Sequence, residues 1–157
     1  MRSGLGRPSL YWAASCGGCE IAQLEIGDKI LKLAEAADIV FWPVAIDAKV
    51  HHVEAMEDKS IDLCLFNGAI RTSEQEYMAR LLRRKSKVLV AFGSCASEGC
   101  IPGLANLHTR AEIFDNSYQE TASTENPDRV RPQVKTEMTE QVRKLGPFSR
   151  RNGGSNE

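Results

Sequence analysis

Long apolar stretches are missing from this sequence. No window of its 157 residues approaches the ~20 apolar residues that a membrane-spanning helix needs, so no membrane insertion is expected. A charge imbalance is missing too. The 20 Lys and Arg residues against 21 Asp and Glu leave a net charge of −1, which gives no electrostatic case for nucleic acid or an anionic lipid surface. The opening residues Met1-Arg2-Ser3-Gly4-Leu5-Gly6-Arg7-Pro8 carry no apolar signal core, and Arg83-Arg84 lies mid-chain, away from a twin-arginine position. A cytoplasmic location is the expectation. No internal repeat is visible, and there is no G-x-x-x-x-G-K-S/T phosphate loop. Gly4-Leu5-Gly6-Arg7 precedes the first apolar run instead of following it, which removes it as a dinucleotide fingerprint. No Ser/His/Asp order stands out.

What is present is ordinary globular material, 42% hydrophobic and 26% charged, long enough for one core. Four apolar runs at 10–14, 39–46, 61–66 and 88–92 read as strands, continuously apolar as in a sheet covered on both faces. Helical patterns separate them. One runs over 20–36 with Ile21, Leu24, Ile30, Leu31 and Leu33 on one face, and a short one lies within 50–59. Ser73-Glu74-Gln75-Glu76 reads as a capping box for a helix to Arg84, with Tyr77, Met78, Leu81 and Leu82 buried. A brief helix is expected over 110–114. Alternating strands and helices predict an α/β, flavodoxin-like, doubly wound parallel sheet of about four strands in the order 2-1-3-4. That domain is expected over 8–120. Residues 121–157, polar and Pro-bearing, are expected to be a largely irregular, disordered tail.

The chemistry lies in the cysteines. Cys16-Gly17-Gly18-Cys19-Glu20 follows the first strand, and Gly93-Ser94-Cys95-Ala96-Ser97-Glu98-Gly99-Cys100 follows the fourth. In a 2-1-3-4 sheet the ends of strands 1, 3 and 4 are neighbours, so Cys16, Cys19 and Cys95 converge on one edge, beside Asn67-Gly68. Thiolates gathered at one point suit an iron–sulfur cluster or a zinc ion. Gly17, Gly18 and the loop from Ser94 let the backbone approach such a centre and offer N–H donors to it. Cys100 faces either the centre or the packing below it. Cys64, inside the third strand, reads as a small core hydrophobe. A thioredoxin-like disulfide oxidoreductase, with Cys16 as nucleophile and Cys19 as resolving thiol, is an alternative. A cluster-free interaction module is another. Glu20 reads either as a partner of the cysteine loop or as a plain glutamate at a helix start. His51-His52 have no third donor nearby and read as a surface pair. His108 is alone, and Arg80, Arg83, Arg84, Lys85 and Lys87 read as a solvated helix end.

The C-G-G-C-E stretch, Asn67-Gly68-Ala69-Ile70-Arg71, Ala91-Phe92-Gly93-Ser94-Cys95-Ala96 and Gly99-Cys100-Ile101-Pro102-Gly103-Leu104 together resemble the small subunit of [NiFe]-hydrogenases. The resemblance is to the short methyl-viologen-reducing or coenzyme-reducing kind, whose domain recurs as the 20 kDa subunit of NADH:ubiquinone oxidoreductase. It covers about residues 8–135. It implies an electron-transfer subunit carrying a proximal [4Fe–4S] cluster on Cys16, Cys19 and Cys95. It also implies a large nickel–iron catalytic subunit as partner, with a further electron-transfer or heterodisulfide-reductase-type protein. The fourth ligand of that family is a cysteine in a later G-C-P-P motif. This sequence has no cysteine after Cys100, so a truncated product is expected, with Cys100 as the alternative fourth donor.

Overall fold

The computed structural model describes residues 6–132. The chain divides into two compact units, Met1–Thr109 and Arg110–Glu157. In the first, three parallel strands form one sheet in the order β1 (Pro8–Trp12), β2 (Ile61–Asn67), β3 (Ser86–Phe92). Ser9 lies opposite Cys64, and Cys64 opposite Leu89. Pairing between strands so far apart in sequence requires crossovers, and helices supply them.

The run at 39–46, expected as a full strand, is reduced to a single parallel bridge between Ser9 and Phe41. Val40 N–H donates to the Pro8 carbonyl (3.0 Å) and Leu10 N–H to that of Phe41 (2.8 Å). Pro43 then ends the pairing, because it has no N–H and a fixed φ. The chain turns there, with the N–H groups of Ala45 and Ile46 both on the Trp42 carbonyl at 2.9 Å. Four expected strands therefore become three and a bridge, but the order survives. Ser9 is bridged to Phe41 on one side of β1 and to Cys64 on the other.

The long helix expected over 20–36 is two short ones, α1 (Gly18–Leu24) and α2 (Lys29–Ala36), separated by a turn through Gly27 at φ 63°. A third short helix, α3, spans Val50–Glu54, and α4 spans Ser73–Lys85. The cap of α4 sits one residue before the expected Ser73. The Thr72 hydroxyl accepts from Gln75 N–H (3.2 Å), and Gln75 Oε1 accepts from Thr72 N–H (3.1 Å). Both Thr72-x-x-Gln75 and Ser73-x-x-Glu76 satisfy the box pattern, and the extended backbone at Thr72 decides between them. After β3 come two single turns, α5 (Ser94–Ser97) and α6 (Cys100–Gly103), and a 3₁₀ turn, Leu104–Leu107.

The core lies on the sheet face beneath α3 and α4. Cys64, Phe66, Phe41, Val53, Met78, Leu81 and Leu82 pack there as one cluster. Tyr11 adds its ring to Phe66 and Phe41, with centroids at 5.3 and 6.2 Å. The other face is looser than a doubly covered sheet. Ile30 and Leu33 of α2 stand across a cavity of about 270 Å³ from Leu63 and Leu65, α2 buries no residue, and Val88 on β3 is 53% exposed.

In the second unit, α7 (Arg110–Asp115) continues into a π turn, Asn116–Glu120. The Asn126 amide closes the following loop, donating to the carbonyls of Tyr118 (2.8 Å) and Val130 (2.7 Å) and accepting from Val130 N–H (2.9 Å). The irregular tail expected to residue 157 falls, from 133 onward, outside the described residues.

Leu82 is fully buried beneath the sheet. Leu82→Ala should cost about 2–5 kcal/mol in urea unfolding, whereas a loss under about 1 kcal/mol would contradict this placement of the core.

Candidate metal centre

The C-terminal ends of β1, β2 and β3 stand side by side, with Trp12, Asn67 and Phe92 in register. The loops that leave β1 and β3 carry the cysteines. In the first, Gly17 adopts φ 81° and precedes α1. A Cβ at this position would stand 2.6 Å from the Trp12 ring, so only glycine lets the indole lie over the loop. The Trp12 indole N–H in turn donates to the Ser15 carbonyl (3.3 Å). Gly17 N–H donates to Ser15 Oγ (3.2 Å) and Gly18 N–H to Cys16 Sγ (3.4 Å). Of the donors expected from the two glycines, the one from Gly18 reaches a sulfur.

In the second loop, Gly93 has φ 84°, and a Cβ built on it would stand 2.3 Å from Cys19 Sγ. The Cys19 sulfur therefore occupies the space a side chain would take, and the first loop is packed directly on the second. The N–H groups of Ala96 and Ser97 both return to the Gly93 carbonyl at 3.1 Å, which makes α5 a tight turn holding Cys95 at the edge. Burial pushes the Cys95 thiol pKa up. Cys100 pushes it further by charge and hydrogen bond, and Cys16 and Cys19 do so by charge. Four thiols thus share one electrostatic neighbourhood.

Cys100, on the surface at φ 43°, is moved the other way. The Ser94 hydroxyl, the Ile101 backbone N–H and Cys95 hydrogen-bond to it and hold its pKa below the ordinary thiol value. The hydroxyl of Ser94, a residue singled out for its backbone, thus also reaches Cys100. Cys64 stands apart, fully buried. Burial raises its pKa against the hydroxyls of Ser9 and Ser86 on the flanking strands. Among the described residues, no group of three or more His, Cys, Asp or Glu side chains is spaced to hold a metal ion.

Behind the first loop, Glu20 is 4% exposed. The Trp42 indole N–H donates to its Oε2 at 2.5 Å, while Oε1 is buried without a partner. This contact ties α1 to the bridging segment and so fixes the loop that carries Cys16 and Cys19. Burial raises the Glu20 pKa above 4.5, and the Trp42 bond offsets part of that rise. The His51 and His52 rings touch each other, with centroids at 4.2 Å, on α3. Sequence reasoning did not anticipate the Glu20–Trp42 pair, nor the buried amide of Asn67, because both depend on how distant segments pack.

The fold and the edge define a flavodoxin-like α/β domain with cysteine-bearing loops at the C-terminal ends of its strands. The model of the family described as NADH ubiquinone oxidoreductase, 20 Kd subunit, matches residues 16–144, and the chain belongs to that family. It is 45% identical over 119 residues to the iron-sulfur subunit of the F420-non-reducing hydrogenase of Archaeoglobus profundus, covering 75% of this chain and 37% of that protein. It is 35% identical over 133 residues to a vhu-type F420-non-reducing hydrogenase subunit of Methanocaldococcus jannaschii, covering 85% of this chain and 44% of that one. The chain thus spans about two-fifths of the length of these relatives. In fold it is similar to a chain of an NAD+-reducing [NiFe]-hydrogenase in the H2-reduced state, with a TM-score of 0.64 and 23% identity over 80% of this chain and 70% of that one.

Because the Glu20 pKa is raised, folding holds its proton more tightly than the unfolded chain does. That contribution is full below the unfolded value near 4.5 and is lost as pH rises through the folded value. Glu20→Gln keeps an acceptor for Trp42 and cannot ionise. Urea unfolding of the metal-free chain should show the variant more stable than wild type at pH 7, with the difference vanishing near pH 4. A variant less stable at pH 7 would contradict the assignment.

Proposed function

We propose that this chain is an electron-transfer subunit of a [NiFe]-hydrogenase-type oxidoreductase and that residues 8–120 hold its proximal [4Fe–4S] cluster through Cys16, Cys19 and Cys95. The observation that carries this reading is the sharing of one sheet edge by these three thiols, with the Cys19 sulfur set into the side-chain-free position of Gly93. The residues fit such a group. The donor set is all sulfur, glycines clear the backbone on both loops, and Asn67 leaves a buried amide without a partner near Gly93 and Cys19. Cysteines on two distant loops, without two local C-x-x-C knuckles, suit an iron–sulfur cluster better than a structural zinc. Neighbours in the family and the parallel sheet also favour this reading over a thioredoxin-like dithiol.

When bound, such a cluster supplies a one-electron carrier. The chain's own residues do the rest. The loops after β1 and β3 hold three thiolates in place. Gly18 N–H stabilises charge on the Cys16 sulfur, and the Trp12 ring lies against Gly17 of the first loop. Cys100, hydrogen-bonded with Cys95 and held toward its thiolate form, is the candidate fourth donor.

The partner we propose is a large nickel–iron catalytic subunit, with a further electron-transfer or heterodisulfide-reductase-type protein beyond it, in the cytoplasm. Beside Cys100, Ile101 is 73% exposed, Leu104 59% and Leu107 76%. An apolar rim of this kind next to a redox centre fits burial under another protein. Among the described residues, no helix is long and apolar enough to cross a membrane.

Anaerobic reconstitution with iron and sulfide tests the assignment. Cys16→Ala, Cys19→Ala and Cys95→Ala should each lose most of the bound iron and the broad visible charge-transfer absorption, while Cys64→Ala keeps both. If Cys100→Ala also loses them, Cys100 is the fourth ligand. Full iron content in Cys95→Ala would sink the reading.

A further inference from the structure

Asn67 closes the middle strand of the sheet between Trp12 and Phe92. Its backbone carbonyl accepts from Ala13 N–H at 2.7 Å. Its side chain is 1% exposed, yet neither Oδ1 nor Nδ2 has a hydrogen-bond partner. A buried amide left unpaired is unfavourable, and an aliphatic residue of the same size would avoid the penalty. A native chain keeps such a group where something else pairs with it.

The surroundings say what that is. The point where a Gly93 Cβ would stand lies 2.3 Å from Cys19 Sγ and 4.0 Å from Asn67 Oδ1. Because residue 93 is glycine, it puts no side chain of its own between the amide and the sulfur. Turning the amide about its last torsion exchanges oxygen for nitrogen and presents the two N–H donors. The other buried orphans named above do not offer this, Ser9 and Ser86 lying toward the N-terminal ends of their strands. Glu20 is an acid already held by Trp42, and the hydroxyls of Ser9 and Ser86 face Cys64.

We propose that the Asn67 amide donates a hydrogen bond to the sulfur atoms held at Cys19 and thereby raises the reduction potential of the centre. This deepens the reading above and rests on it. A donor to sulfur stabilises the more negative, reduced state more than the oxidised one, and such bonds are among the levers a protein has on an iron–sulfur potential. Asn67 is a tuning group and not a ligand, since an amide is a poor match for iron beside three thiolates.

The test is an EPR-monitored redox titration of the anaerobically isolated complex carrying this chain as wild type, Asn67→Leu and Asn67→Asp. Asn67→Leu removes the donor and fills the same space. It should keep the cluster and lower the reduction equilibrium constant about tenfold, a shift of about 59 mV for one electron. Asn67→Asp is isosteric, removes the donor and adds charge, so its potential should fall further. Wild-type potential in Asn67→Leu would make Asn67 a packing residue and overturn the proposal. If that variant does not assemble, an unshifted Asn67→Asp overturns it instead. Loss of the cluster from both variants would place Asn67 in ligation and also contradict it. A wild-type complex with no cluster signal from this chain would instead bring down the electron-transfer reading itself.

Discussion

The packing of the Cys19 sulfur onto side-chain-free Gly93 is the contact on which the site depends. It joins the loop after β1 to the loop after β3 across the end of β2. Any Cβ at 93 displaces Cys19, and φ 84° at Gly93 already disfavours other residues. The neighbourhood of thiols around Cys95 follows from that contact, and the missing Cβ at 93 leaves its space open between Asn67 and Cys19. The Glu20–Trp42 bond plays the matching part from behind by anchoring α1.

The parallel order was legible because it follows from continuously apolar runs alternating with helical ones, and that order sets the loops that carry the cysteines after β1 and β3 at one sheet edge. Less was legible where local chemistry overrode pattern. Ile39–Ile46 reads as a strand by composition, yet Pro43 stops it after one bridge. The apolar face over 20–36 is genuine, but Gly27 divides it into two helices. The choice of Thr72 over Ser73 as cap turned on backbone conformation, which composition does not encode. Asn67 was visible as a strand end, but its unpaired amide was not, since satisfaction is a property of three-dimensional packing.

The second sheet face shows where the description as a doubly wound fold is incomplete. Leu63 and Leu65 line a cavity under α2, and Val88 and Val90 of the edge strand β3 are 53% and 37% exposed. An apolar, half-covered edge strand is a surface that proteins normally cover. It adds to the exposed apolar rim of Ile101, Leu104 and Leu107 beside Cys100.

The central claim is that one centre is built by loops distant in sequence and adjacent in space. Iron X-ray absorption of the anaerobically loaded chain tests it most directly. The account predicts an iron environment of sulfur alone with a resolved iron–iron shell, both abolished together by Cys95→Ala. Iron bound by oxygen or nitrogen donors, or an iron–iron shell that survives loss of Cys95, would contradict it.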